Sequence, residues 1–259
     1  MNAKLPYIPE RDIKKREKGI TMVMDKGLSL RQAEDYIQAA GNYVDYVKFG
    51  FGTALVTDRL EDKIKLYREA QIEPYFGGTL YEVYKIRGLL DEFRGFLNRY
   101  NIGLTEVSDG SIHISHEEKV RDISKLAEEF SVLSEVGSKR TEDVISPEQW
   151  VGMMRTELEA GSLKVIAEAR ESGTIGIYNK DGSAKRELID DISHHVNLDN
   201  ILWEAPQKAQ QVWFIKHFGS NVNLGNIAFH EVIPLETLRT GLRGDTFFQF
   251  LPDELKDDQ

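Results

Sequence analysis

The sequence predicts an α/β protein built as a single-domain (β/α)8 TIM barrel. Eight short apolar runs alternate with helix-like stretches, at intervals of about 20–40 residues. No linker rich in Pro, Gly or Ser divides the chain, and nearly every apolar run stops on a charged residue or a glycine. Alternating strand and helix units imply parallel strands joined by right-handed crossovers. A doubly wound open sheet is the competing topology, and eight units in about 250 residues favour closure. The predicted division is an N-terminal extension over 1–19, the barrel over 20–252 and a frayed acidic tail over 253–259.

The first strand is Ile20–Asp25, closed by the turn Asp25-Lys26-Gly27. Ser29 is placed to cap a helix whose apolar residues Leu30, Ala33, Ile37, Ala40 and Val44 recur every three or four positions. Tyr46–Gly50 is the second strand, and the helix after it carries Leu60, Ile64 and Tyr67 on one face. Pro74–Gly78 is the third, with Thr79 expected as the N-cap of one long helical region running through Leu90, Phe93 and Leu97. Leu104–Gly110 is the fourth, and Ser115 to Glu118 forms a capping-box signature after it. Ser131–Lys139 is the fifth, followed by a helix with Ser146 as cap and Pro147 at its first position. Lys164–Glu171, Ile201–Pro206 and Val222–Asn226 complete the set.

Composition narrows the function classes. The 259 residues are 41% hydrophobic, enough for one sizeable core. There is no cysteine, which removes disulfides, thiolate metal sites and cysteine nucleophiles together. A formal net charge of −10 repels nucleic acid and anionic lipid, so neither is expected as a partner. Residues 1–19 lack the apolar segment of a signal peptide, and no run approaches the length of a membrane span. The expectation is a soluble cytoplasmic protein.

In a barrel of this kind the chemistry sits at the C-terminal ends of the strands. Those ends carry Asp25 and Lys26, Lys48, Gly77 and Gly78, Glu106 and Asp109, Glu135 and Lys139, Glu168 with Arg170 and Glu171, Glu204 and Lys208, then Asn223 and Asn226. A solvated rim would explain any one of them. Several carboxylates facing several amines across one mouth fit a site better, because charged side chains are seldom buried without a partner. Asp and Glu without His or Cys suit a hard cation such as Mg²⁺, and Lys and Arg among them suit an anionic substrate. The residues alone therefore point to metal-assisted chemistry on a small phosphorylated or carboxylated compound.

Other signals are weaker. Gly77-Gly78-Thr79 before a helix is a possible anion cradle, although two-glycine turns are common. Gly241-Leu242-Arg243-Gly244-Asp245-Thr246 lies where barrel enzymes often bind phosphate, and also reads as a helix C-cap with a solvated arginine. The histidines form no triad or zinc pattern: His194, His195 and His217 fall on helices, His113 and His116 are expected at the surface, and His230 is ambiguous.

These residues also carry a resemblance. Val47-Lys48-Phe49-Gly50 with Gly52-Thr53, Gly77 to Leu80, Glu106 to Gly110, Leu133 to Gly137, Glu168 to Gly173, Glu204 to Lys208, Asn223 to Ile227 and Gly241 to Thr246 are similar, in this order, to the phosphosulfolactate synthase family. The resemblance covers the chain from about Gly19 onward. It implies a (β/α)8 barrel, commonly self-associating as a homo-oligomer, that joins sulfite to phosphoenolpyruvate with Mg²⁺ to give (2R)-3-phosphosulfolactate. In methanogens that step opens coenzyme M biosynthesis; bacterial relatives are linked to sulfolactate, and plant relatives are named for heat stress.

On this resemblance Lys139 is the catalytic proton donor. Glu135, Glu168 and Glu204 are the candidates for the metal side. Lys48, Arg170, Lys208 and Arg243, with Gly77 and Gly78, are the candidates for substrate binding. Ser138 stands where the methanogen enzymes have a second lysine and Ala169 where they have a glycine, as in the bacterial branch. Two alternatives stay open at this point: an aldolase-like enzyme with Lys48 or Lys139 as a Schiff-base lysine, and a non-catalytic barrel with a stress role.

Overall fold

A computed structural model describes residues 3–137, 145–169 and 172–256. Eight parallel strands close into a barrel in sequence order. They are β1 (Thr21–Asp25), β2 (Tyr46–Phe49), β3 (Glu73–Phe76), β4 (Leu104–Val107), β5 (Ser131–Val136), β6 (Ser162–Ala167), β7 (Ile201–Glu204) and β8 (Leu224–Ile227). The helices are α1 (Leu30–Ala40), α2 (Leu60–Glu69), α3 (Gly78–Lys85), α4 (Leu90–Arg99), α5 (His116–Ala127), α6 (Pro147–Glu159), α7 (Arg186–His195), α8 (Lys208–Phe218) and α9 (Val232–Arg239). Ser29, Ser115 and Ser146 each cap their helix in a full capping box, and Pro147 opens α6.

The strands are short and buried on both faces, as parallel strands covered by helices must be. Because side chains alternate, each strand sends one set of residues inward and the other toward the helices. Met22, Met24, Tyr75, Leu104, Leu133, Ile166 and Leu202 fill the barrel interior. Val23, Val47, Phe49, Phe76, Val107, Val132, Val165 and Trp203 belong to the separate layer between sheet and helices.

Two local expectations are corrected. The long helical region after β3 is two helices, broken where Leu89 N–H bonds to the carbonyl of Tyr84 and Gly88 N–H to that of Lys85. Gly88 takes φ +71° there, a left-handed turn that glycine adopts without a Cβ penalty. Thr79 lies inside α3, with Gly77 at the cap position and Gly78 as the first helical residue.

The N-terminal extension folds across the barrel floor. Arg11 pairs with Glu236 at 3.1 Å and bonds to the carbonyl of Gly19, while Arg16 pairs with Asp45 at 2.8 Å. Asp45 in turn accepts the N–H of Thr21 at the start of β1. The acidic tail, expected to fray, opens with a turn over Asp253–Leu255. Among the described residues no helix is long and apolar enough to cross a membrane.

Candidate active site

The site follows from strand periodicity. An inward apolar residue at one level places the residue two positions later inward at the next level up. Leu104, Leu133, Ile166 and Leu202 form the apolar level, so Glu106, Glu135, Glu168 and Glu204 form the level above it, toward the C-terminal mouth. Tyr46 and Lys48 stand in the same relation on β2. The four carboxylates are 1–4% exposed and Lys48 is 7% exposed. The result is a ring of buried charge over an apolar floor.

Lys48 is held on one side of the ring. Its Nζ lies 2.7 Å from Glu106 Oε1 and 3.9 Å from Glu135 Oε2. Glu106 also accepts the N–H of Gly78 at 2.7 Å and the hydroxyl of Tyr75 at 3.1 Å. Burial works to lower the Lys48 pKa, and Glu106, Glu135 and Glu204 outweigh it and hold the amine above its ordinary value. Lys48 therefore stays an ammonium at neutral pH.

Glu135, Glu168 and Glu204 gather on the other side, with one carboxylate oxygen of each within 4.8 Å of the others. Glu204 accepts the N–H of Ala169 at 3.0 Å. Burial pushes its carboxyl up to about 7; Lys48 opposes this and Glu135 and Glu106 add to it. Glu106, Glu135, Glu168 and Glu204 thus lie buried around the Lys48 ammonium. An oxygen-only set of three converging carboxylates fits a hard divalent cation.

Glycines hold the ring together by close approach. A Cβ on Gly77 would come 2.7 Å from Lys48 Cε, and one on Gly78 would come 2.2 Å from Ser108 Oγ. Their part in the described geometry is to admit these side chains, since the Gly78 N–H is already given to Glu106. Gly137 has φ +135°, and a Cβ there would come 2.7 Å from Glu168 Cβ.

The remaining predicted residues divide. Lys139 and Arg170 lie outside the described residues. Lys208 opens α8 at the surface, where its amine holds Asp245 at 2.9 Å; Arg243 reaches the same carboxylate at 3.5 Å. Lys208 also borders a cleft of about 700 Å³ at the mouth, shared with Lys26, Pro206, Asn226 and His230. Arg243 does not line that cleft.

Glu106, the buried partner of Lys48, is the ring residue that sequence reasoning did not select as a candidate. The signal for it was present in the repeat Leu104-x-Glu106, Leu133-x-Glu135, Ile166-x-Glu168 and Leu202-x-Glu204. Asp25 and Asp109 stand at the opposite parity and face the helices. Asp25 ties Lys63 at 2.5 Å and the hydroxyl of Tyr67 at 2.9 Å.

The fold recurs in distant structures. It aligns with 3-keto-L-gulonate-6-phosphate decarboxylase from Vibrio cholerae at TM-score 0.55 and 11% identity, covering 91% of this chain and 100% of that one. It aligns with 3-hexulose-6-phosphate synthase from Salmonella typhimurium at 0.53 and 12%, covering 86% and 100%. At such identities only the barrel is shared. Sequence relatives are much nearer. The chain is 43% identical over 244 residues to the phosphosulfolactate synthase of Bacillus subtilis (strain 168), covering 93% of this chain and 97% of that protein. To the phosphosulfolactate synthase of Methanocaldococcus jannaschii it is 44% identical over 237 residues, covering 89% and 94%. Residues 9–245 match the model of the (2R)-phospho-3-sulfolactate synthase (ComA) family. The chain therefore belongs to the phosphosulfolactate synthase family of enzymes.

Proposed function

We propose that this enzyme adds sulfite to phosphoenolpyruvate to give (2R)-3-phosphosulfolactate, with Mg²⁺ at Glu135, Glu168 and Glu204. The observation that carries the reading is the convergence of those three buried carboxylates beside an ammonium that is locked in place. Bound there, Mg²⁺ would supply a compact positive charge where negative charge develops on the substrate carboxylate.

The chain's own residues do the rest. Lys48, fixed between Glu106 and Glu135, offers a permanent positive charge to an anionic substrate at the bottom of the mouth. The apolar level of Leu104, Leu133, Ile166 and Leu202 keeps water from beneath the reacting carbons. The sulfur lone pair of sulfite bonds to the methylene carbon, the double-bond electrons move toward the carboxylate, and a proton must then reach the carbon bearing the phosphate. Lys139 is assigned as that donor on the family resemblance, and an amine needs only a moderate fall in pKa to act at neutral pH. Lys208, with Arg170, is assigned to the anionic groups at the rim; Arg243, held at Asp245 and outside the cleft, is left out of that set. Self-association into a homo-oligomer and a cytoplasmic setting belong to the same reading.

A Schiff base at Lys48 fits the geometry poorly, because an amine held protonated by carboxylates is a weak nucleophile. The deciding measurement is NMR of purified protein mixed with phosphoenolpyruvate, sulfite and Mg²⁺. A new C–S-bonded product that requires all three components is expected; its absence would sink the reading. Lys139→Ala should lower the rate at least about 10²-fold.

A further inference from the structure

Behind the ring lies a second buried ionic cluster that the chemistry above does not use. Lys119 on α5 is 2% exposed, and its ammonium has three acceptors. These are Glu157 Oε1 on α6 at 2.9 Å, Asp109 Oδ1 beyond β4 at 3.1 Å, and the main-chain carbonyl of Glu135 at 2.5 Å. An ammonium carries three donors, so Lys119 is fully engaged. His116 also reaches Glu157, at 3.3 Å.

The carbonyl contact is explained by how the sheet ends. The β4–β5 ladder stops at the pair Val107 and Ser134. The carbonyl of Val136 turns the other way, to the N–H of Glu168 beside β6. Strand alternation therefore points the carbonyl of Glu135 toward β4, beyond the last residue that β4 pairs. The ladder offers it no strand partner there, and the Lys119 ammonium takes that place.

We propose that Lys119 is a positioning residue: by tying the Glu135 carbonyl to Asp109 and Glu157 it aims the Glu135 carboxylate at the cation site. This inference rests on the metal reading above. Fixing the main chain of a strand-end residue fixes the exit direction of its side chain; partners of the ligating group itself change metal affinity by about 10–100-fold, and a main-chain tie is expected near the lower end of that range.

The test is Mn²⁺ binding followed by electron paramagnetic resonance, together with steady-state kinetics and circular dichroism. Lys119→Met with Glu157→Gln removes the buried pair as a unit, and Glu157→Gln alone is its control. The double variant is expected to fold, to bind Mn²⁺ at least about tenfold more weakly and to lose kcat, whereas the control keeps its affinity within about twofold. Mn²⁺ affinity unchanged in the double variant but weakened by Glu135→Gln would overturn the positioning role alone. Affinity that Glu135→Gln leaves unchanged would overturn the metal reading and this inference with it. If the double variant does not fold, Lys119→Arg keeps the charge and displaces the donor from the carbonyl. It is expected to weaken Mn²⁺ at least about threefold, and an unchanged affinity would count against the proposal.

Discussion

The two ends of this barrel treat buried charge in opposite ways. At the floor, Arg239 is fully buried, yet its guanidinium meets the carbonyls of Ser220 at 2.6 Å, Val222 at 2.7 Å and Ile20 at 3.2 Å. Arg11 and Arg16 nearby have their own carboxylates in Glu236 and Asp45. At the mouth, Glu135, Glu168 and Glu204 crowd within 4.8 Å while the one described ammonium of the ring is already bonded to Glu106. Charge that is matched holds a fold together. Buried carboxylates brought this close together are a costly arrangement that a bound cation would relieve, which is why the proposed site is placed there.

The sharpest way to break this contrast is to neutralise one buried charge at each place. Glu204→Gln at the mouth should lower turnover by about 10²-fold or more, because it replaces a carboxylate of the proposed cation site with a neutral amide. Its melting temperature should hold or rise, since a repulsive charge has gone. Assay by NMR and melting by circular dichroism give both numbers; a lower melting temperature with full activity would reverse the assignment.

Arg239→Met at the floor should do the converse. It leaves three carbonyls without their donor, at a cost of about 3 kcal/mol and a fall in melting temperature of about 10 °C. Activity per folded molecule should stay within about twofold, as expected for a site remote from the mouth. Burial and the neighbouring Arg11 lower this guanidinium to about 9, and the three carbonyls are what keep the cation bound in place.

A titration distinguishes the ends without mutation. Glu204 has a folded pKa raised to about 7 from the ordinary carboxylate value, so the folded protein holds a proton that the unfolded chain releases. The stability this contributes is present in full below about pH 4.5 and is lost as pH rises through about 7. In EDTA, stability should therefore fall from pH 6 to pH 8 by up to about 1 kcal/mol per pH unit relative to Glu204→Gln. Mg²⁺ should reverse that fall, and more strongly at pH 8 than at pH 6, because the cation competes with the proton. Parallel pH profiles for the wild type and the variant would refute the assignment.

How much of this was legible beforehand depends on the range of the interaction. The eight strands, their order and the three serine caps are written in local runs and spacings, and they appear where the sequence places them. The convergence of Glu135, Glu168 and Glu204 was legible as well, because each stands two positions after an inward apolar residue and period two sends them all inward. What was not legible depends on neighbours far apart in the chain. The pairing of Lys48 with Glu106 spans two strands, and Lys119 reaches Glu157 from one helix to the next. The turn at Gly88 is local, but its glycine sits within a periodic apolar pattern that reads as one helix. Lys139 and Arg170 lie outside the described residues.

The smallest expected effect concerns the rim. Lys208 and Asp245 are 44% and 30% exposed in their side chains and 37 positions apart, so the sequence shows a lone cation where the fold forms a surface pair. An exposed pair of this kind contributes about 0–1 kcal/mol, and Lys208→Ala should shift stability by no more than about 0.5 kcal/mol. Its kinetic effect decides between two roles. If Lys208 swings from Asp245 to an anionic substrate in the cleft it borders, KM for phosphoenolpyruvate should rise about tenfold at low salt with kcat nearly constant, since uniform binding is lost. The rise should shrink as ionic strength increases, because the charge is solvent-exposed. Arg243→Ala is the matched control: it touches the same Asp245 but does not line the cleft, so its KM should change by less than about twofold. Equal effects from the two variants would assign both cations to a surface cluster around Asp245 and leave substrate binding to the buried ring.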